Sequence, residues 1–144
     1  MTSATAAISA QGLVLALSGE LGAGKTSVVR AALRALGVPG AIKSPSFALV
    51  EPYVVSSLNF YHFDFYRLAD PAEFSIAGFR DMFGPGAVCL IEWPEKAGRN
   101  LPVADLRIAM QVVDEGRQAV LTAATELGAT CLQRITAEMA SHTS

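Results

Sequence analysis

Residues 12–26 read GLVLALSGELGAGKT, and the order of residue types in this stretch decides the fold. Gly12 to Leu17 is a short, unbroken apolar run, the pattern of a strand buried on both faces of a parallel sheet. Gly19, Gly24, Lys25 and Thr26 then satisfy G-x-x-x-x-G-K-T. From Lys25 onward Val28, Val29, Ala32, Leu33 and Leu36 recur at helical spacing. Strand, glycine-rich loop and helix together form the context in which this motif cradles phosphate. The glycines let main-chain N–H groups approach phosphate oxygens without a Cβ in the way, and the helix N-terminus adds partial positive charge. Glu20, Leu21, Gly22, Ala23, Gly24, Lys25, Thr26 and Ser27 are therefore expected to bind a nucleoside triphosphate, with ATP and Mg²⁺ the expected pair. Lys25 would neutralise the β- and γ-phosphates and the Thr26 hydroxyl would ligate Mg²⁺. The bland alternative, a glycine-rich turn joining strand to helix, leaves the Gly-Lys-Thr ending unexplained.

Outward from the loop, Gly37 suits a helix C-terminal cap and Pro39 confirms the stop. Lys43 to Tyr53 holds two prolines and no helical period, which reads as an exposed loop leading into an edge strand. Leu58 to Leu68 is aromatic-rich and strand-like, with Leu58, Phe60, His62 and Asp64 on one face. Asp70-Pro71-Ala72-Glu73 opens a helix, with Asp70 at the N-cap and Glu73 reaching back. Gly84-Pro85-Gly86 is a turn, and Ala87 to Ile91 a second buried strand that ends at Glu92. Leu106, Ile108, Met110 and Val112 alternate with more polar residues, and Glu115-Gly116 returns the chain into Gln118 to Ala123 as an antiparallel hairpin. Leu127, Cys131, Ile135 and Met139 mark a final helix. The expected class is α/β: a three-layer P-loop NTPase fold with a mixed sheet and an antiparallel C-terminal hairpin. Residues 1–144 are read as one nucleotide-binding domain, with residues 1–10 flexible.

A phosphate loop of this kind needs a carboxylate at the end of a nearby strand, placed for the metal or its waters. Glu92 follows the apolar run Ala87-Val88-Cys89-Leu90-Ile91, and Asp64 ends the aromatic strand. Lys25, Asp64 and Glu92 are the candidate catalytic residues; Thr26 and Glu92 are the candidate metal ligands. Which acid touches the metal stays open, as do plainer roles: an exposed strand-end carboxylate for Glu92, a salt bridge to Arg67 or a local turn bond for Asp64. Ser44 or Ser46, in Lys43-Ser44-Pro45-Ser46, could sense the γ-phosphate, against the alternative of an ordinary proline turn. His62 shares the face of Asp64, yet a hydrogen-bonded core histidine is the commoner reading. Trp93 suits base stacking, a partner surface or plain rim packing.

Composition narrows the classes. The net charge of -2 lacks the basic excess of a protein that grips nucleic acid by itself. No apolar run approaches the roughly 18 residues of a spanning helix, and Met1 to Ala10 shows neither a basic segment nor a long apolar stretch. The expectation is a cytosolic protein without membrane contact. Cys89 and Cys131 read as small core residues rather than a disulfide.

Gly19 to Thr26, Ser44-Pro45-Ser46, Leu49-Val50-Glu51-Pro52-Tyr53, His62-Phe63-Asp64-Phe65-Tyr66-Arg67-Leu68 and Ile91-Glu92-Trp93-Pro94 come in the order and spacing of one family. Over roughly residues 12 to 125 the chain resembles the TsaE family, formerly YjeE. The resemblance implies a small bacterial ATPase that acts with TsaB and TsaD in making N6-threonylcarbamoyladenosine (t6A) at position 37 of tRNA. TsaD performs the transfer chemistry, and ATP hydrolysis serves cycling of the complex, so tRNA would be met only through the partners. By motif, Lys25 and Thr26 hold phosphate and Mg²⁺. Ser44 to Phe47 match the mobile switch, Asp64 and Glu92 the acidic site residues, and Trp93 the neighbouring tryptophan. Two departures stand out: Ser46 replaces the usual threonine of the switch, and the segment before Gly12 is short and lacks the helix often seen there.

Three other readings share the phosphate loop. A small-molecule kinase would need clustered lid arginines; none is found, and Arg99 is a poor candidate on its own. A GTP switch would need Asn-Lys-x-Asp, which does not occur. A nucleotide-dependent assembly module without turnover is not separable from an ATPase by sequence.

Overall fold

The computed structural model describes residues 3–20, 22–35, 38, 42, 45, 49–55 and 57–142, with side chains for all of these but 3–5, 35, 138 and 142. Strand β1 (Leu13–Ser18) lies inside a six-stranded sheet. It pairs in parallel with β4 (Ala87–Glu92) on one side and β5 (Leu106–Val113) on the other. Beyond β4 comes β3 (Leu58–Asp64), also parallel, and then β2 (Val50–Val55), antiparallel at the edge. Strand β6 (Gly116–Ala123) closes the other edge as the antiparallel partner of β5, so the order is β2-β3-β4-β1-β5-β6. Every residue of β4 is buried, as an unbroken apolar run demands. Pro52 falls on edge strand β2, where a missing N–H is tolerated. The mixed sheet and the C-terminal hairpin are as the sequence led us to expect.

One face of the sheet is covered by α1 (Ser3–Gln11), α2 (Lys25–Ala35) and α4 (Glu126–His142). Leu17, Val29, Leu33, Phe60, Leu90 and Leu127 fill the interface between them. The helix α1 corrects the expectation that the segment before Gly12 lacks one. Its sequence, SATAAISAQ, carries no apolar stripe to reveal it, but alanine has the highest intrinsic helix propensity. Packing completes the helix. Ala7 and Ile8 lie against the core, and the Ile8 carbonyl accepts the N–H groups of Gly12 and Gly86 at 2.8 and 3.1 Å.

The opposite face is covered differently, by the single helical turn α3 (Glu73–Ile76), by 3₁₀ turns at Phe79–Met82, Pro94–Lys96 and Gly98–Asn100, and by a cluster of phenylalanines. Phe63 meets Phe65, Phe79 and Phe83 at centroid distances of 5.4, 5.5 and 5.4 Å, contacts worth about 0.5–1.5 kcal/mol each beyond their buried area. The expected reciprocal bonds form, the Ala72 N–H donating to Asp70 Oδ1 and the Asp70 N–H to Glu73 Oε1, but the expected N-cap is corrected: the helix begins at Glu73 with Ala72 before it, and Asp70 and Pro71 belong to the preceding turn. The strand-like reading of Leu58 to Leu68 is corrected at its end. β3 stops at Asp64, whose carboxylate accepts the N–H of Tyr66 at 3.0 Å, and the Leu68 N–H bonds back to Phe65. A local turn has taken the place of the ladder.

Helix α2 ends with the Val38 N–H on the Leu33 carbonyl at 3.1 Å, a six-residue closure; Gly37 and Pro39 lie outside the described residues. Helix α4 is fixed by Asp105. Its carboxylate accepts the Thr125 hydroxyl and the Val14 N–H, both at 2.8 Å, while Thr125 caps the Gly128 N–H. Among the described residues no helix is long and apolar enough to cross a membrane. Cys89 is buried in β4 and Cys131 is half-buried on α4, both as free thiols.

Candidate functional site

The parallel register brings Asp64 level with Glu92, and Glu92 level with Leu17, at the carboxyl ends of three adjacent strands. Ligands of open α/β sheets bind outside such ends. Here an open cleft of about 530 Å³ is lined by the phosphate loop on one side and by Asp64, Tyr66, Arg67, Glu92 and Trp93 on the other.

The loop leaves β1 with Gly19 at φ +143°, and a Cβ there would lie 2.4 Å from the Met110 carbonyl oxygen of β5. The close approach of loop and strand therefore demands glycine. Gly22 and Gly24 also take positive φ, and Ala23 is fully buried, its N–H on the Glu20 carbonyl at 3.1 Å. Helix α2 begins at Lys25, so its first-turn N–H groups have no partner within the helix and face the cleft end. Thr26 and Ser27 occupy that first turn, Ser27 exposed, and Glu20 is exposed beside them. Leu21 lies outside the described residues.

Lys25 is 4% exposed. Its ammonium donates to the carbonyls of Gly19 and Glu20 and lies 4.1 Å from the centroid of the Trp93 ring. Among the described residues it forms no salt bridge. Its hydrogen bonds are to uncharged groups, so the buried charge lacks a paired counter-ion among the described residues.

The hydroxyl of Thr26 donates to Glu92, with Oε1 at 2.8 Å and Oε2 at 3.0 Å. Hydroxyl and carboxylate oxygens, the donor type a divalent cation takes, thus meet here, and the Asp64 carboxylate lines the same cleft. No group of three His, Cys, Asp or Glu capable of holding one exists among the described residues. Glu92 itself is 2% exposed and also receives His62 Nε2 at 2.6 Å. Asp64 is half-buried. Burial pushes its carboxyl above the usual range; the Tyr66 N–H opposes this, Glu92 adds to it, and His62 and Lys25 pull it back.

Trp93, the residue after β4, sits in the left-handed region at φ 58°, a conformation that costs a side chain about 1–3 kcal/mol and collects at functional sites. Its ring packs on Lys25 and, at 5.0 Å between centroids, on Tyr66. It forms a wall of the cleft. Ser44 and Ser46 lie outside the described residues. Their neighbour Pro45 lines the cleft, and Leu49, at φ 64°, hands the chain into β2 while its carbonyl accepts the Asp64 N–H.

The structure adds residues that sequence reasoning passed over. Arg117, on β6, donates through Nη2 to the Gly22 carbonyl at 3.3 Å, so the hairpin reaches back over the phosphate loop. Its position one residue past the turn at Gly116 held no signal of this. Tyr66 and Arg67, quoted in the family motif but given no site role there, also line the cleft.

A family profile described as "Threonylcarbamoyl adenosine biosynthesis protein TsaE" matches residues 1–120. The chain is 45% identical over 116 residues to the "tRNA threonylcarbamoyladenosine biosynthesis protein TsaE" of Haemophilus influenzae, covering 81% of this chain and 73% of that one. To the protein of the same name from Bacillus subtilis it is 36% identical over 120 residues, covering 83% and 75%. A crystal structure of YdiB from Bacillus subtilis superposes with a TM-score of 0.64 at 28% identity, covering 98% of this chain and 85% of that one. With the profile spanning most of its length and the phosphate loop, paired acids and hairpin in place, the chain belongs to the TsaE family of threonylcarbamoyladenosine biosynthesis proteins.

Proposed function

We propose that this chain binds Mg-ATP and hydrolyses it as the ATPase subunit of a tRNA-modifying assembly with TsaB and TsaD, in the pathway to t6A at position 37. The contact between Thr26 and Glu92 carries the reading, because it joins the end of the phosphate motif to the strand-end acid across 66 residues of sequence. The names of the relatives supply the pathway.

In this reading the main-chain N–H groups of residues 22–27 and the Lys25 ammonium bind the triphosphate tail. Thr26 and Glu92 hold Mg²⁺, which when bound neutralises charge on the phosphates. Lys25 exchanges two carbonyl partners for phosphate oxygens, a gain because charge-assisted bonds to an anion are about twice as strong as neutral ones. Asp64, with its carboxyl raised by burial, is suited to orient the attacking water beside Glu92. Trp93 and Tyr66, in contact with each other, form one wall of the site. The acidic sequence pI of about 5.6 suits a subunit that leaves the grip on tRNA to its partners.

The test is ATP turnover with and without TsaB and TsaD. Slow hydrolysis alone and stimulation by the pair is the expected result. Absence of both a complex and stimulation contradicts the assignment, whereas binding and assembly without turnover favours an assembly module.

A further inference from the structure

Among the described residues His62 is a buried polar side chain that neither binds phosphate nor offers an oxygen to a cation. It is 1% exposed and lies on β3, two residues before Asp64 and level with Leu90 of β4. From there its ring reaches along the sheet to Glu92, with Nε2 2.6 Å from Oε2. The other ring nitrogen, Nδ1, is fully buried and has no hydrogen-bond partner among the described residues. This asymmetry assigns a proton to Nε2: a proton on Nδ1 would be a buried donor with no acceptor, while Nε2 faces a carboxylate.

We propose that His62 is a positioning residue for Glu92, one that pins Oε2 and so fixes how the carboxylate faces the Thr26 hydroxyl and the reaction. The proposal rests on the ATPase reading of the site. Without His62 the carboxylate would have Thr26 as its only side-chain hydrogen-bond partner among the described residues, and a glutamate's terminal torsion is soft. The carboxylate would then turn whenever the Thr26 oxygen engages something else. A ring fixed by its strand and by burial removes that freedom, because its Nε2 holds Oε2 at 2.6 Å. The same logic governs side chains behind metal ligands generally, where loss of the supporting bond costs roughly 10- to 100-fold in affinity or activity. A core histidine kept only for packing would have no reason to direct its single satisfied nitrogen at the buried acid of the cleft.

The test compares wild type, His62→Leu and His62→Gln as full-length proteins with TsaB and TsaD present, measuring Mg-ATP turnover and, by circular dichroism, folding. His62→Leu is expected to lower kcat at least about 10-fold while KM for Mg-ATP stays within about 3-fold. His62→Gln, whose amide nitrogen reaches the place of Nε2, is expected to restore most of that loss. In a Glu92→Gln background His62→Leu should add nothing, because the residue it acts through is already disabled. Unchanged kcat in His62→Leu, or equal loss in the folded leucine and glutamine variants, overturns the proposal. If the leucine variant does not fold, His62→Asn takes its place, its amide too short to reach Glu92, with the same expectation. NMR of ¹⁵N-histidine in the wild type reads the contact without any variant: a downfield proton on Nε2 is expected, and a proton on Nδ1 alone overturns it. Silence of the wild type in turnover defeats the ATPase reading. Turnover that is equal in wild type and the leucine variant defeats only the role of His62.

Discussion

The Thr26 hydroxyl bonds both carboxylate oxygens of Glu92, so the last residue of the phosphate motif and the last residue of β4 meet although 66 positions separate them. The candidate site is arranged around that meeting. β1 delivers the loop, β4 the acid, β3 the second acid and the histidine behind it.

Glu92→Gln should keep the fold, since the amide is isosteric and retains one acceptor for Thr26 or His62. It should reduce kcat by about 100-fold, the usual scale for removing a charged group from a preorganised site. Steady-state turnover with TsaB and TsaD checks this, alongside a melting curve. Wild-type hydrolysis in a folded variant would remove Glu92 from the site.

Lys25→Ala should weaken Mg-ATP binding by at least about 100-fold, the equivalent of two charge-assisted hydrogen bonds of about 1.5 kcal/mol each. The native ammonium spends its hydrogen bonds on the Gly19 and Glu20 carbonyls, so its loss frees those groups without exposing a buried acid. Calorimetry on both proteins measures the difference, and equal affinity would contradict the phosphate-binding role.

Asp64→Asn should change stability in a pH-dependent way. Burial is the main cause of the raised carboxyl, so the folded chain holds that proton more tightly than the unfolded one. Ionising Asp64 then costs stability. The cost is absent below the unfolded pKa, grows as pH rises through the folded pKa, and is complete above it. Because the group is only half-buried, solvent screening keeps the effect small. The variant should melt about 1–3 °C higher than wild type at neutral pH and at the same temperature below about pH 3.5. A lower Tm for the variant at neutral pH would contradict the sign.

The strand β3 and its surroundings show what the sequence could and could not disclose. Burial on both faces wrote β1 and β4 as unbroken apolar runs, and the glycines of the loop are a local requirement, so these were legible. Asp64 and Glu92 were legible as strand ends. Their company was not: His62 and Glu92 are 30 residues apart, and only the register of β3 against β4 brings them within 2.6 Å. Arg117 meets Gly22 across 95 residues, because the hairpin folds back over the loop. Helix α1 escaped notice for the opposite reason, since alanine builds a helix without leaving an apolar stripe.

The two thiols should differ in reactivity. Burial pushes Cys89 up to about 12. Cys131 is less deeply buried; it too is raised, by burial first and Asp105 second, with Arg134 opposing. Since the thiolate is the reactive form, an aromatic disulfide reagent at neutral pH should label Cys131 slowly and Cys89 only on unfolding. Mass spectrometry of the labelled peptides decides, and Cys89 labelled first in the native protein would contradict the burial of β4.

Titration calorimetry with Mg-ATP, run on the protein alone and with TsaB and TsaD, puts the phosphate cradle itself to the proof. A saturable heat with one nucleotide per chain, lost in Lys25→Ala, is the predicted result. No heat under either condition would contradict the account at its root.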